Sequence, residues 1–361
     1  MSGVHSRFAP SGLSLTMACA GSFKLRETVP VEPETPESIE GTVAHHVAQQ
    51  LALGIRLKEG DKYMDTEVDD DMVAGADLWV DTVGTNGAHE LPVLCPDIHP
   101  DCWGTPDFWK YDVATGVLHV WDYKYGHRYV EEFENVQMCA YASGLIRMLS
   151  IPETTVVQIG IVQPRCYMAN PVRQWTTTAQ NILSIAKRAG EAVADALLGG
   201  YCRTGPHCID CPARGVCKTL QYATNVTISF IQAAELNDPT AAALGVELTL
   251  LDAAEKLVEA RRKALAVMAE SLVRSGQRVP GWEMKPGRSN LTWLDEAAAI
   301  SAGDSAGVDL RKPAKPITPT QAIQRKLLAE PVVNMLASRP PAAMKLARVS
   351  PVSIRKALSS T

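Results

Sequence analysis

Asp107, Asp122 and Lys124 have the types and the spacing needed to cut a phosphodiester with the help of a metal. Such a cut needs an acidified water to attack, relief of charge at the scissile phosphate and support for the departing oxygen. Mg²⁺ or Mn²⁺ held by carboxylates supplies these, and a nearby lysine can hold the attacking water or steady the developing charge. Mg²⁺ keeps several of its waters and takes only a few protein oxygens, so a minimal site is two acids, one further ligand and one lysine. In VWDYKYG, Asp122 and Lys124 stand two apart on a predicted strand, so both side chains leave one face. Asp107 lies in the preceding strand of the same predicted hairpin, after Gly104. A charged residue among Val120, Trp121 and Tyr123 is costly unless paired or bound to metal. D-x-K tripeptides are common, and an exposed ion pair on an ordinary sheet is the competing reading.

A second group is Cys202, Cys208, Cys211 and Cys217, four cysteines within sixteen residues. Thiolates this close repel and oxidise unless a metal holds them. Structural Zn²⁺ and an iron–sulfur cluster both take four cysteines, and spacing separates the two poorly. Cys202 as the fourth ligand would make a compact local site, which favours zinc. Cys95, Cys102, Cys139 and Cys166 read as packing residues.

These groups need a scaffold. Apolar spacing predicts helices over residues 13–25, over 39–53 with Val43, Val47 and Leu51 on one face, and in DTEVDDDMVAGADLWVDTV with Met72, Ala76, Trp79 and Val83 buried. HELPVLCPDI, CWGTPDFWKYD and VLHVWDYKYG alternate apolar and polar residues as strands do, the last two joined by a turn at VATG. A helix over 131–149, a β-branched strand at TTVVQIGIVQP and a long helix from Thr176, ended by Gly199 and Gly200, complete the core. This order predicts an α/β fold, a mixed β-sheet flanked by helices. Residues 246–276 read as one amphipathic helix, GWEMKPGRSNLTW as a hairpin, and 297–318 as a linker to a basic helical tail. The expected division is a core at 1–222 closed by the cysteine site, a helical C-terminal extension at 223–296, and linker and tail at 297–361.

The bulk numbers set limits. At 361 residues, 46% apolar and 21% charged, the chain has ordinary globular composition and can bury a large core. No apolar run approaches the roughly 18 residues of a membrane helix, and MSGVHSRFAPSG lacks the apolar core and cleavage site of a secretory signal. The expectation is a cytoplasmic protein without membrane contact, in which cysteines are metal ligands or packing groups rather than disulfides. The net charge of −5 hides an asymmetry: residues 310–361 carry ten Lys or Arg against one acid, a +9 tail that leaves −14 for the rest. Clustered carboxylates suit a divalent cation and a basic tail suits a polyanion. There is no P-loop, no G-x-S-x-G elbow and no base-stacking motif of the RNA-recognition type.

Taken together, the motifs resemble those of the PD-(D/E)XK nuclease superfamily, and within it the RecB-like branch. That branch has an upstream G-x-x-x-H, matched by Gly41 to His45, and a G-x-x-D strand, matched by Gly104 to Asp107. Its D-x-K strand is matched by Asp122 to Lys124, and its Q-x-x-x-Y helix by Gln137 to Tyr141, all in the family's order. A phage and prophage nuclease-like branch is closer still, sharing C-x-G-S at Cys19 to Ser22, EGTVAH, and PGWEMKPGRSNLTW. The resemblance implies a restriction-endonuclease-like core with His45, Asp107 and Asp122 as metal ligands. His46 and Glu40 stand beside His45 as alternatives. Asp107, Asp122, Lys124, Gln137 and Tyr141 would be the catalytic residues. It also implies a [4Fe–4S] cluster on one early and three late cysteines, Cys19, Cys208, Cys211 and Cys217, acting as a staple. The function implied is a DNA exonuclease or end-processing nuclease of phage recombination or replication in a bacterial cytoplasm. Partners would be DNA and phage recombination or single-strand-binding proteins. A non-catalytic DNA-binding or recombination scaffold that keeps the fold is the alternative.

Overall fold

The computed structural model describes residues 6–30, 34–167, 169–233, 240–284, 329, 331 and 332. The chain divides into two compact units, Met1–Leu265 with Lys345–Thr361, and Ala266–Met344. In the first unit, a 3-10 turn (Pro10–Gly12) leads into two short helices, α1 (Leu13–Ala18) and α2 (Ser22–Arg26), where one helix was expected over 13–25. The break presents Cys19. It also lets Gly21 approach the post-core chain so closely that a Cβ there would lie 2.4 Å from the Gly200 carbonyl oxygen. Helix α3 (Pro36–Ala52) is capped by the Thr35 hydroxyl, which accepts from the Ser38 N–H, and has proline in its first turn. A small ribbon, β1 (Lys62–Tyr63) with β2 (Thr66–Glu67), takes up the start of the acidic segment. The helix expected there is therefore shorter: α4 (Asp70–Val83) starts after the Asp69 cap, buries Met72, Ala76 and Trp79, and leaves Val83 half-buried.

HELPVLCPDI splits instead of forming one strand. Ala88–His89 (β3) enters the main sheet, and Val93–Leu94 (β4) pairs with Trp103–Gly104 (β5) in a separate ribbon. Next come β6 (Phe108–Asp112), β7 (Val117–Tyr123), helix α5 (Val136–Met148), β8 (Val156–Val162), β9 (Val172–Thr178) and helix α6 (Ala179–Leu197). The main sheet has the order β3-β6-β7-β8-β9, with β7 and β8 parallel and the other pairs antiparallel. The fold is mixed α/β, a five-stranded mixed sheet with helices on both faces. Leu118 and Val120 of β7 meet Met138, Leu145, Ile182 and Ile185 of α5 and α6. Trp121 and Tyr123 of the same strand meet Val47 and Trp79 of α3 and α4. Burial on both faces is why this central strand is so apolar.

Two boundaries differ from expectation for identifiable reasons. Residues 131–135 are not helical; α5 begins after Asn135, whose side chain accepts from the Met138 N–H. β9 (Val172–Thr178) has no counterpart among the expected strands, and Thr176 to Thr178 end it instead of starting the following helix. Its inward residue is Arg173, buried against Glu132 at 3.5 Å, so apolar alternation is absent. Gly144 of α5 lies against the β4–β5 ribbon, where a Cβ would sit 2.1 Å from the Leu94 carbonyl oxygen. Gly144→Ala is therefore expected to destabilise the protein by about 1–3 kcal/mol. The check is a lower urea midpoint at unchanged denaturant slope.

Beyond α6, two 3-10 turns follow, Pro206–Asp210 with Cys208 inside it and Pro212–Gly215 flanked by Cys211 and Cys217, and then helices α7 (Lys218–Ala233) and α8 (Ala241–Arg274). α8 is longer than expected; Ala260 and Ala264 are buried while Leu248, Leu250 and Leu251 are exposed. In the second unit, a single bridge joins Val279 to Trp282 where a hairpin was expected. The rest of that segment from residue 285, the 297–318 stretch and all of the basic tail except 329, 331 and 332 lie outside the described residues. No helix among the described residues is long and apolar enough to cross a membrane.

Candidate functional site

β7 ends at Tyr123, yet Lys124 stays in register because its N–H donates to the Val162 carbonyl at 2.8 Å. Its Nζ lies 2.9 Å from Oδ2 of Asp122 and 3.1 Å from Oδ1, as the i, i+2 spacing requires. Asp107 immediately precedes β6, and the Phe108–Trp121 register brings it across from Asp122. Its Oδ2 accepts from the Tyr123 N–H at 2.6 Å, while Oδ1 is 3.6 Å from His45 Nδ1. His45 comes from α3, whose buried face (Val43, Ala44, Val47, Ala48) fixes the helix on the sheet. The His45 ring meets Tyr123 edge-on at 5.3 Å.

Glu90 completes the group. It follows β3, pairs through its N–H with the Asp107 carbonyl at 3.3 Å, and holds the left-handed φ of 51° that non-glycine residues seldom adopt. Donor atoms of His45, Glu90 and Asp107 all lie within 4.8 Å of one another. Among the described residues no trio that includes Asp122 meets that limit, so the tight trio takes Glu90 where the sequence reading took Asp122. Sequence offered little signal for Glu90. Only the pairing of β3 with β6 brings it beside Asp107.

Burial and the nearness of several carboxylates set the electrostatics of this group. Burial raises the Asp107 carboxyl, the His45 imidazole opposes this, and the Asp122 charge adds to it. Burial, then Asp107 and Asp122, push Glu90 up to about 7. Burial works to lower the Lys124 ammonium, but Asp122 and Asp107 outweigh it and hold it above its ordinary value. Asp122 is only 3% exposed, and its Oδ2 accepts no hydrogen bond despite the nearby Nζ. A cleft of about 220 Å³ opens over His45, Gln49, Glu90, Asp107 and Tyr123. Donors around one Mg²⁺ at ~2.1 Å stand ~3.0–4.2 Å apart, so the trio needs to close by only about an ångström. The donor set fits a hard divalent ion, which would relieve the crowding of carboxylates.

The neighbours of His45 are occupied elsewhere: His46 stacks on Tyr63 at 3.8 Å, and Glu40 pairs with Arg165 at 2.8 Å. Gln137 Nε2 donates to the Tyr141 hydroxyl at 3.5 Å, and the Tyr141 ring lies against Gly104, the start of the Asp107 motif. Burial raises the Tyr141 phenol, and the charges of Asp122 and Asp107 add to that. Helix α5 thus brings Gln137 and Tyr141 to the same edge as the acids.

The cysteine residues also converge. Cys19, Cys202, Cys208, Cys211 and Cys217 line a pocket of about 290 Å³ together with His207 and Arg203. Backbone N–H groups of Arg203, Gly205 and Leu220 donate to the sulfurs of Cys19, Cys208 and Cys217 at 3.2, 3.4 and 3.4 Å. Burial works against ionisation of Cys19, but His207 and the N–H groups of Arg203 and Ser22 outweigh it and bring the thiol down to about 7. Cys202 goes the other way, pushed up to about 12 by burial and by Cys217 and Cys19. Hydrogen bonds to the Cys19 and Cys208 sulfurs raise His207 to about 10. Metal ligands must be thiolates; burial also raises the Cys211 thiol above its ordinary value. Thiolates on one tetrahedral zinc at ~2.3 Å stand ~3.8 Å apart. Among the described residues no three of these sulfurs form a group as tight as His45, Glu90 and Asp107. Cys95, Cys102, Cys139 and Cys166 are all buried away from this pocket.

The four motif segments and the early and late cysteines lie between Cys19 and Cys217, inside the span of a single family match. The chain belongs to the family described as "Protein of unknown function (DUF2800)", which matches residues 5–352.

Proposed function

We propose that this chain is a divalent-metal-dependent deoxyribonuclease of the PD-(D/E)XK, RecB-like kind, with a [4Fe–4S] cluster stapling its N-terminus to the segment after the core. The observation that carries the reading is the meeting of Asp107, Asp122 and Lys124 at one sheet edge, with His45 and Glu90 from two further elements. Asp107, His45 and Glu90 would hold Mg²⁺ or Mn²⁺, with Asp122 beside them. When bound, such an ion acidifies a water and offsets charge on the phosphate. Lys124 holds the attacking water or the developing charge, and Asp122 keeps that ammonium charged and aimed. Tyr141 and Gln137 support the acids from α5. Cys19, Cys208, Cys211 and Cys217 would hold the cluster, and backbone N–H groups already donate to the sulfurs of Cys19, Cys208 and Cys217.

The test is incubation of purified protein with linear and circular DNA in Mn²⁺ or in EDTA. Degradation in Mn²⁺ alone, faster on linear DNA, is the expected result. No cleavage of either DNA by metal-loaded protein rejects the proposal, and stable binding without cleavage marks a DNA-binding scaffold.

Metal binding should also depend on pH with a defined sign. Glu90 titrates near about 7 in the fold against an ordinary 4.5. A raised carboxyl contributes stability that is full below its unfolded value and lost as pH rises through its folded one. Without metal, this group's contribution therefore declines between about pH 4.5 and 7. Bound metal displaces that proton, so affinity climbs by up to about tenfold per unit over the same range. Thermal melts with and without Mn²⁺ should show a larger metal-induced rise at pH 7.5 than at pH 5.5. The reverse order would show that Glu90 does not bind the ion.

A further inference from the structure

β7 and β8 are parallel neighbours, so their exit loops emerge side by side, next to Asp122 and Lys124. The first loop carries Tyr125, His127, Arg128 and Tyr129, the second Arg165 and Tyr167. The first is fixed from beneath by buried polar groups. Gln163 Nε2 donates to the Gly126 and Arg128 carbonyls, both at 2.7 Å, and Gln163 Oε1 accepts from the Val130 N–H at 3.2 Å. Arg173 adds bonds to the Val130 carbonyl at 2.9 Å and to Gln163 Oε1 at 2.8 Å. Polar groups buried this deeply are costly unless satisfied, and a satisfied network holds the loop in one conformation.

What the two loops together offer to solvent is aromatic and cationic. The His127 and Tyr167 rings stack with centroids 5.7 Å apart and planes at 29°, and Tyr167 remains 56% exposed. Arg165 touches the His127 ring nitrogen and sets its guanidinium 4.6 Å over Tyr125. The Arg128 side chain is 78% exposed while it pairs with Asp210 at 2.7 Å. Exposed rings beside guanidinium groups form a surface on which unstacked bases sit, with the exposed Arg128 beside the phosphates and Arg165 held by Glu40 at 2.8 Å. In a closed duplex the base faces are already stacked, so such a surface discriminates in favour of a single strand.

We propose that the His127–Tyr167 platform binds single-stranded DNA and leads that strand to Asp122 and Lys124. The leading role rests on the nuclease reading, whereas the binding does not. The test measures fluorescence anisotropy of labelled oligo-dT and of a blunt duplex with the full-length protein in EDTA, where cleavage is off. Tyr167→Ala should weaken oligo-dT binding about tenfold, Tyr167→Phe should keep it within about twofold, and duplex binding should not change. An unchanged affinity in Tyr167→Ala overturns the platform. So does an equal loss for duplex, an equal loss in Tyr167→Phe, or no oligo-dT binding by the wild type. Cleavage of the same oligonucleotide in Mn²⁺ is read separately. Wild-type protein that binds but never cuts defeats the nuclease reading and leaves the platform standing.

Discussion

Asp122→Asn is expected to lower Mn²⁺-dependent DNA cleavage by about a hundred- to a thousandfold while DNA binding in EDTA stays near wild type. The substitution keeps the shape of a 3% exposed side chain and removes the charge that holds Lys124 Nζ at 2.9 Å. Lys124→Ala should be as inactive, but for a mixed reason. It strands a buried carboxylate among Asp107 and Glu90, and breaking a buried pair from one side costs about 3–5 kcal/mol. The double variant Asp122→Asn/Lys124→Ala separates the two effects. It should recover much of the stability that Lys124→Ala loses and recover none of the activity. Thermal melts beside a nicking assay read both quantities, and wild-type cleavage by either single variant would rule the mechanism out.

The second large effect concerns the cysteines. Serine at Cys19, Cys208, Cys211 or Cys217 is expected to abolish iron incorporation and the broad visible absorption of an iron–sulfur protein. It should also lower the unfolding temperature sharply, because binding energy on the order of 10 kcal/mol is typical of structural metal sites. Cys202→Ser should keep both iron and stability, since the proposed cluster takes Cys19 and not Cys202. Elemental analysis of the five variants decides. Iron kept in Cys19→Ser but lost in Cys202→Ser would move the fourth ligand to the local site, and zinc in place of iron would replace the cluster.

The proposed metal trio is harder to reach by deletion, since its members would stabilise each other only with an ion bound. Burial raises both Glu90 and Asp107, and the charges of Asp107 and Asp122 add to the rise at Glu90. Function and stability thus oppose one another at this edge of the sheet, a common property of sites prepared for a charged ligand.

Residue order alone determined much of this protein. Period-two alternation identified β7, and the i, i+2 spacing put Asp122 and Lys124 on one face, where they form an ion pair. Helical spacing identified α3, the G-x-x-x-H resemblance singled out His45 on it, and the crowding of Cys208, Cys211 and Cys217 marked a shared pocket. These are local properties, set by backbone geometry over a few residues. Tertiary structure decided the rest. Glu90 enters the trio because β3 pairs with β6, and β9 hides a buried arginine whose partner is 41 residues away. Cys19 meets the late cysteines because Gly21 lets two distant backbones touch. None of these has a periodic trace in the chain, because each depends on which surfaces pack together rather than on which residues follow one another.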